Sequence, residues 1–158
     1  MRNSNFKTLA AVIGIGVVLV ALFAWPRIKD SNRALKRAWK DANVKCLSQG
    51  HTNVNLHIHP HLTVRVDGVE EVISAEIGIV PGCMAEVHTH DATGTIHLES
   101  LERGKTFTLG QFFAVWGRPI ERNGYTLTAT VDDSPLSDPA ALTLKDGQKI
   151  VLEYASVR

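Results

Sequence analysis

Alternating histidines constrain this chain more than any other feature of its sequence. Six of the seven histidines stand in His57-Ile-His59-Pro-His61, in His88-Thr-His90, and at His97. Along an extended strand every second side chain faces the same way, so both runs gather their imidazoles only if the backbone is β there. On a helix, residues two apart diverge. Neutral imidazole nitrogens suit zinc, copper, iron and nickel, which makes His57, His59, His61, His88, His90 and His97 candidate metal ligands. One ion takes three or four protein ligands. Six histidines therefore fit either one mononuclear site with spares or two ions. Taken singly, each has the plainer reading of a solvated polar side chain. That reading is strongest for His57 at a strand entry and for His51 in the polar stretch from Ser48 to Asn53.

The second cluster predicts a β-hairpin: Met84 to His90, a turn at Asp91-Ala-Thr-Gly94, then Thr95 to Glu99. Asp and Thr supply turn chemistry, and Gly94 is free to take positive φ. A four-residue loop pairs His88 with His97 and Glu86 with Glu99, whereas a two-residue loop at Thr93-Gly94 sets His90 opposite His97. Either even loop leaves the three histidines on one face, and an odd loop would flip His97 away. Val87, Ile96 and Leu98 then form the core-facing side. Asp91 and Glu99 are candidate outer acceptors that orient the imidazoles, or else a turn-forming Asp and an exposed Glu.

Elsewhere, Leu62 to Ile73 alternates around Asp67-Gly68, a strong hairpin signal. Pro60, with no amide hydrogen, marks a strand start or an edge. Thr108 with Gln111 three residues on predicts a capping box, and Leu109, Phe112, Phe113 and Trp116 form one apolar helix face ended by Gly117. Tyr125 to Val131 alternates as a strand, Asp132 to Pro139 is a polar loop, and Leu142 to Tyr154 predicts a pair of strands around Asp146-Gly147. The fold class expected is mainly β, a small sheet, sandwich or β-grasp-like domain with one short helix, preceded by a single N-terminal transmembrane helix.

That span is Leu9 to Trp25, a run of 17 uncharged residues, at the short end of what crosses a bilayer. A signal peptide is the alternative, although no small-x-small cleavage pattern precedes Trp25. The organisation expected is an anchor over 1–28, a basic stem helix or linker over 29–45, and a histidine-rich β domain over 46–158. Residues 1–45 hold nine Lys/Arg against two Asp/Glu, and residues 46–158 hold eight against fourteen. The stem could lie on anionic lipid or be a solvated spacer. An acidic domain with no basic patch argues against nucleic acid as a partner. Cationic residues after the span favour a cytoplasmic domain by the positive-inside rule. Cys46 and Cys83 pull the other way, because two cysteines can form a disulfide in an oxidising compartment. The extracytoplasmic side is the expectation. Free thiols, or a Cys/His site with His51 and His88, are the other readings of the two cysteines.

The motifs His57 to Leu62 (HxHxHL), His88 to Glu99 (HTHDxxGxIHxE) and Phe107 to Gly117 (FTLGQFFxxWG) together resemble a family of uncharacterised membrane-anchored bacterial and archaeal proteins. The resemblance implies that anchor and histidine sites belong together, and it names no reaction. Gly82 followed by His88-Thr-His90 is similar to the start of the first cupin motif, but Gly94 and Thr95 stand where its glutamate would be.

The function expected is a membrane-anchored transition-metal binding protein, holding copper or zinc through clustered histidines. Its expected partners are the membrane and a metal-transfer protein. The alternatives are a His-ligated metalloenzyme, hydrolytic or oxidative, with Glu86 or Glu99 as general base, or a metal- or pH-dependent interaction module. No catalytic residue is otherwise assigned.

Overall fold

A computed structural model describes residues 31–47 and 52–158. The chain divides into two units, Met1–Leu35 and Lys36–Arg158, and all the strands belong to the second. Two local signals organise its largest sheet. At Asp67-Gly68 both residues take positive φ, 48° and 80°, which is the turn that matches the twist of paired strands. It joins β3 (His61–Val66) to β4 (Val69–Glu71). Asp132 and Asp133 make a second turn of that kind, φ 47° and 63°, between β9 (Tyr125–Val131) and β10 (Ser134–Pro135). The last strand, β11 (Lys149–Ser156), lies between these hairpins, antiparallel to β9 and parallel to β3. The sheet order is therefore β10-β9-β11-β3-β4.

Two smaller sheets complete the unit. β1 (Cys46–Leu47), β6 (Cys83–Ala85) and β5 (Ile79–Val80) pair in that order. The Cys46–Cys83 disulfide joins the first two. The third sheet, β2 (Leu56–Ile58), β8 (His97–Ser100) and β7 (Val87–His88), carries the histidines.

The expectation of one short helix is corrected. A helix covers residues 31–41 (α1) in addition to α2 (Leu109–Trp116). Trp39 of α1 is buried at 2% exposure and its Nε1 donates to the Val115 carbonyl, so an indole that a solvated stem would expose is packed instead. The α2 signals hold in detail. Gln111 N donates to Thr108 Oγ1, the Gln111 side chain accepts from Thr108 N, and Gly117 closes the helix at φ 72°. Val115 rather than Trp116 completes the buried face.

The sheets are also more mixed than expected. Leu142 to Lys145 forms no strand, because Leu144 N bonds to the Phe107 carbonyl and the segment serves as a brace for α2. The expected membrane span at Leu9 to Trp25 lies outside the described residues. Among the described residues no helix is long and apolar enough to cross a membrane. The expectations of a single-pass anchor, of the membrane as partner and of an extracytoplasmic domain gain no support from the described residues and are not carried further.

Candidate metal centre

The geometry begins with strand direction. β2 and β7 both run antiparallel to the central β8, so the C-terminal ends of the outer strands meet the N-terminal end of the middle one. His59 follows directly on β2, His90 lies two residues past the end of β7, and His97 opens β8. The register sets His88 opposite His97 and His57 opposite Glu99. This is the pairing of the four-residue loop. Residues 97 and 99 share one face of β8, so His57, His88, His97 and Glu99 all lie on it.

Two groups of three imidazoles result, each able to hold a metal ion: His57, His59 and His97, and His88, His90 and His97. Within each group the ligand nitrogens lie within 4.8 Å of one another. His97 belongs to both. Its ring centre is 4.7 Å from that of His59 and 4.6 Å from that of His90, edge-on to each. The Nε2 atoms of His57 and His59 are 3.1 Å apart, as are those of His88 and His90. Two nitrogens on a tetrahedral ion at 2.0–2.1 Å are separated by about 3.3 Å, so both pairs already stand near a ligand–ligand edge. Nδ1 of His97 is buried with no hydrogen-bond partner. A buried polar atom left so costs free energy, and coordination would satisfy it. On these observations the residues fit a metal ion.

The two groups differ in how they are held. His88 is fully buried, and its Nδ1 lies 2.9 Å from the Ala85 carbonyl. A carbonyl only accepts, so Nδ1 carries the proton and Nε2 keeps its lone pair for a ligand. Burial pushes the His88 pKa down to about 4, with His90 and His97 nearby adding to the effect and the Ala85 carbonyl opposing it. His97 is lowered too, first by burial and then by its histidine neighbours. Both rings are thus neutral near pH 7, the state that binds metal. Behind His88 the backbone approach is close. A Cβ on Gly78 would stand 2.7 Å from the Val87 carbonyl oxygen and 3.1 Å from the His88 Cβ. His90 is exposed, so His88 alone is the enclosed ligand of its pair; in the other group the His57 and His59 side chains are 47% and 40% exposed. Glu99 Oε1 lies 3.2 Å from His57 Nε2, and Asp146 Oδ1 lies 3.9 Å from His59 Nδ1.

His61 joins neither group. Pro60 interrupts the run of alternating histidines, leaving His57 in the three-stranded sheet and His61 at the start of β3 in the five-stranded one. The His61 ring packs instead beside Gly94, whose absent Cβ would fall 2.9 Å from His61 Cε1 and 2.3 Å from the Leu62 carbonyl oxygen. Asp91 Oδ1 accepts from the Thr93 amide and hydroxyl, which tie down the turn and lower the Asp91 pKa. Glu86 is buried and bonded to Lys105 Nζ at 2.6 Å, to Ser100 Oγ at 2.7 Å and to the Lys45 amide at 2.7 Å. His51 lies outside the described residues.

Thr89 anchors the backbone between two of the candidate ligands, which the sequence pattern does not reveal. Its hydroxyl donates to the Ser74 carbonyl and accepts from the Ile77 amide, while its own amide donates to the Ile77 carbonyl. A buried threonine flanked by candidate ligands is the signal that could have pointed to it.

No family model, no curated protein and no solved structure matches this chain. The resemblance to membrane-anchored bacterial and archaeal proteins is therefore corrected, and the cupin likeness with it. Neither the structure nor these comparisons support a metal-transfer partner, and that expectation is corrected too. The histidine geometry stands on its own.

Proposed function

We propose that this chain is a His-ligated metalloenzyme, hydrolytic with zinc or oxidative with copper. The observation that carries the reading is the meeting of two imidazole triads on His97 beside the buried carboxylate of Glu99. Imidazole-only ligation suits both ions, and three protein ligands leave a coordination position open, as catalytic sites do. A bound ion would supply Lewis acidity, lowering the pKa of a coordinated water or polarising a substrate oxygen. The protein's own part is orientation and proton handling. His88 presents a fixed Nε2, and Glu99 stands where it can take a proton at the His57 side of the site. Glu86, the other carboxylate of suitable sequence position, is already committed to Lys105, Ser100 and the Lys45 amide.

Loading the full chain with zinc or copper and measuring retained metal tests the ligand set. Hydrolysis of p-nitrophenyl acetate and bis-p-nitrophenyl phosphate, and oxygen uptake with ascorbate, test the chemistry. Metal that is retained by the wild type and by Glu99→Gln, with turnover lost in Glu99→Gln alone, supports the enzyme reading. Retained metal with no turnover on any probe, coupled to a metal-dependent rise in mass by light scattering, would replace it with a metal-dependent interaction module.

A further inference from the structure

Two sites that share one neutral imidazole cannot both be complete; only an imidazolate, which has lost its second proton, bridges two ions. A neutral imidazole has one ring nitrogen with a free lone pair, the other carrying its proton, so His97 serves one ion at a time. The two groups differ in access at one ligand: each has one exposed histidine, His57 or His90, but His59 is half-exposed where His88 is fully buried. His57 and His59 are flanked by the carboxylates of Glu99 and Asp146, which attract a cation from solvent. His88 is fully buried, with its Nε2 lone pair fixed by the bond between Nδ1 and the Ala85 carbonyl.

Resting on the metal reading above, we infer that the centre is a two-position site for one divalent ion. The ion enters at His57 and His59 and comes to rest on His88 and His90, with His97 ligating in both positions. The step is a ligand exchange. Bonds from the ion to the His57 and His59 nitrogens break as bonds to His88 and His90 form, and no electron or proton is transferred. The entry pair governs how fast the ion is captured, and the resting pair governs how tightly it stays. Rings of both pairs lie against His97, His59 at 4.7 Å and His90 at 4.6 Å between ring centres, so the ion need not leave the protein to change position.

The test uses the full chain and Zn(II) delivered from a chromophoric chelator, with stopped-flow capture and equilibrium competition. The wild type should bind one tight equivalent. In His57→Gln/His59→Gln the capture rate should fall about tenfold or more while affinity changes by less than about threefold. In His88→Gln/His90→Gln the fast capture should survive while affinity falls by about 100-fold or more. Two equally tight equivalents in the wild type would overturn the shared-ligand inference while leaving the metal reading intact. Equal losses of affinity in the two double variants would overturn the entry-and-rest order. Neither zinc nor copper bound by the wild type, whose fold does not depend on any substitution, would remove the metal reading itself. Circular dichroism of each variant separates lost ligands from lost fold.

Discussion

The five-stranded sheet and the three-stranded sheet that carries the histidines bury different chemistry. In the first, Leu62, Val64, Ile150, Leu152 and Tyr154 are each at or below 1% exposure. Their burial is hydrocarbon packing, which stabilises at roughly 25 cal/mol per Å² removed from water. In the second, and at the residue just before it, the buried groups include Glu86, His88, Glu99 and Ser100, none above 1% exposure. Burying such groups costs free energy unless each finds a partner. One sheet supplies stability. The other spends some of it to hold imidazoles and carboxylates in place, which is what a functional site demands of its scaffold.

That contrast breaks most visibly at the hydrocarbon side. Leu152→Ala removes a side chain that is fully buried in the central strand of the large sheet, and a cavity there costs about 4 kcal/mol. Thermal or urea unfolding should register the loss while the zinc affinity of the folded protein stays unchanged. Next comes Lys105→Met. The Lys105 and Glu86 side chains are only 7% and 2% exposed, and removing the cation strands a buried carboxylate at a cost of about 3 kcal/mol. The double variant Lys105→Met/Glu86→Leu should recover much of that loss. Failure to recover would mean that Ser100 and the Lys45 amide, rather than the ion pair, set the worth of Glu86.

Why some of this was legible in the sequence and some not follows from the range of the interactions. Asp67-Gly68 and the Thr108–Gln111 box are decided by neighbours a few residues apart, and each stands where the pattern puts it. His88 stands opposite His97, as a four-residue loop requires, although Thr95 bridges to His61 rather than to His90. The pairing of β11 with β3 joins the last strand to one of the first, and no local signal announces it. For the same reason the strand pair expected around Asp146-Gly147 gave way to a single strand. Alternation carried through Pro60 groups His61 with His57 and His59, whereas the chain passes there from one sheet to another. The engagement of Glu86 with Lys105, and the packing of Trp39 on α2, likewise depend on partners distant in sequence.

The third effect is a pH dependence. An unfolded histidine takes a proton near pH 6.5, whereas His88 in the metal-free fold resists protonation down to about 4. Between those values the unfolded chain binds the extra proton, so stability falls as the pH drops through that window and levels off below it. The depressed value corresponds to roughly 3 kcal/mol. Carboxylates titrate in the same range, so the measurement is the difference between wild type and His88→Gln in urea midpoints from pH 7 to 4. A wild-type slope no steeper than that of the variant would show that the His88 ring is reached by water.

The smallest effect sharpens the comparison most, because it separates the scaffold of the polar sheet from its ligands. Val115 of α2 stands against Gly78, where an added Cβ would lie 3.0 Å from Val115 Cγ1 and 3.1 Å from the His88 Cβ. The helix therefore backs the strand that carries His88. Thr108→Ala removes the hydroxyl that accepts from the Gln111 amide and should lower stability by about 1 kcal/mol. The cap frays only the first turn, whereas Val115 lies in the last one, held by the Gly117 amide bond to the Ala114 carbonyl. Zinc affinity should then be unchanged in Thr108→Ala even though the protein unfolds at lower urea. A parallel loss of affinity would mean that the helix, and not the Ala85 and Thr89 hydrogen bonds, keeps His88 in its ligating position.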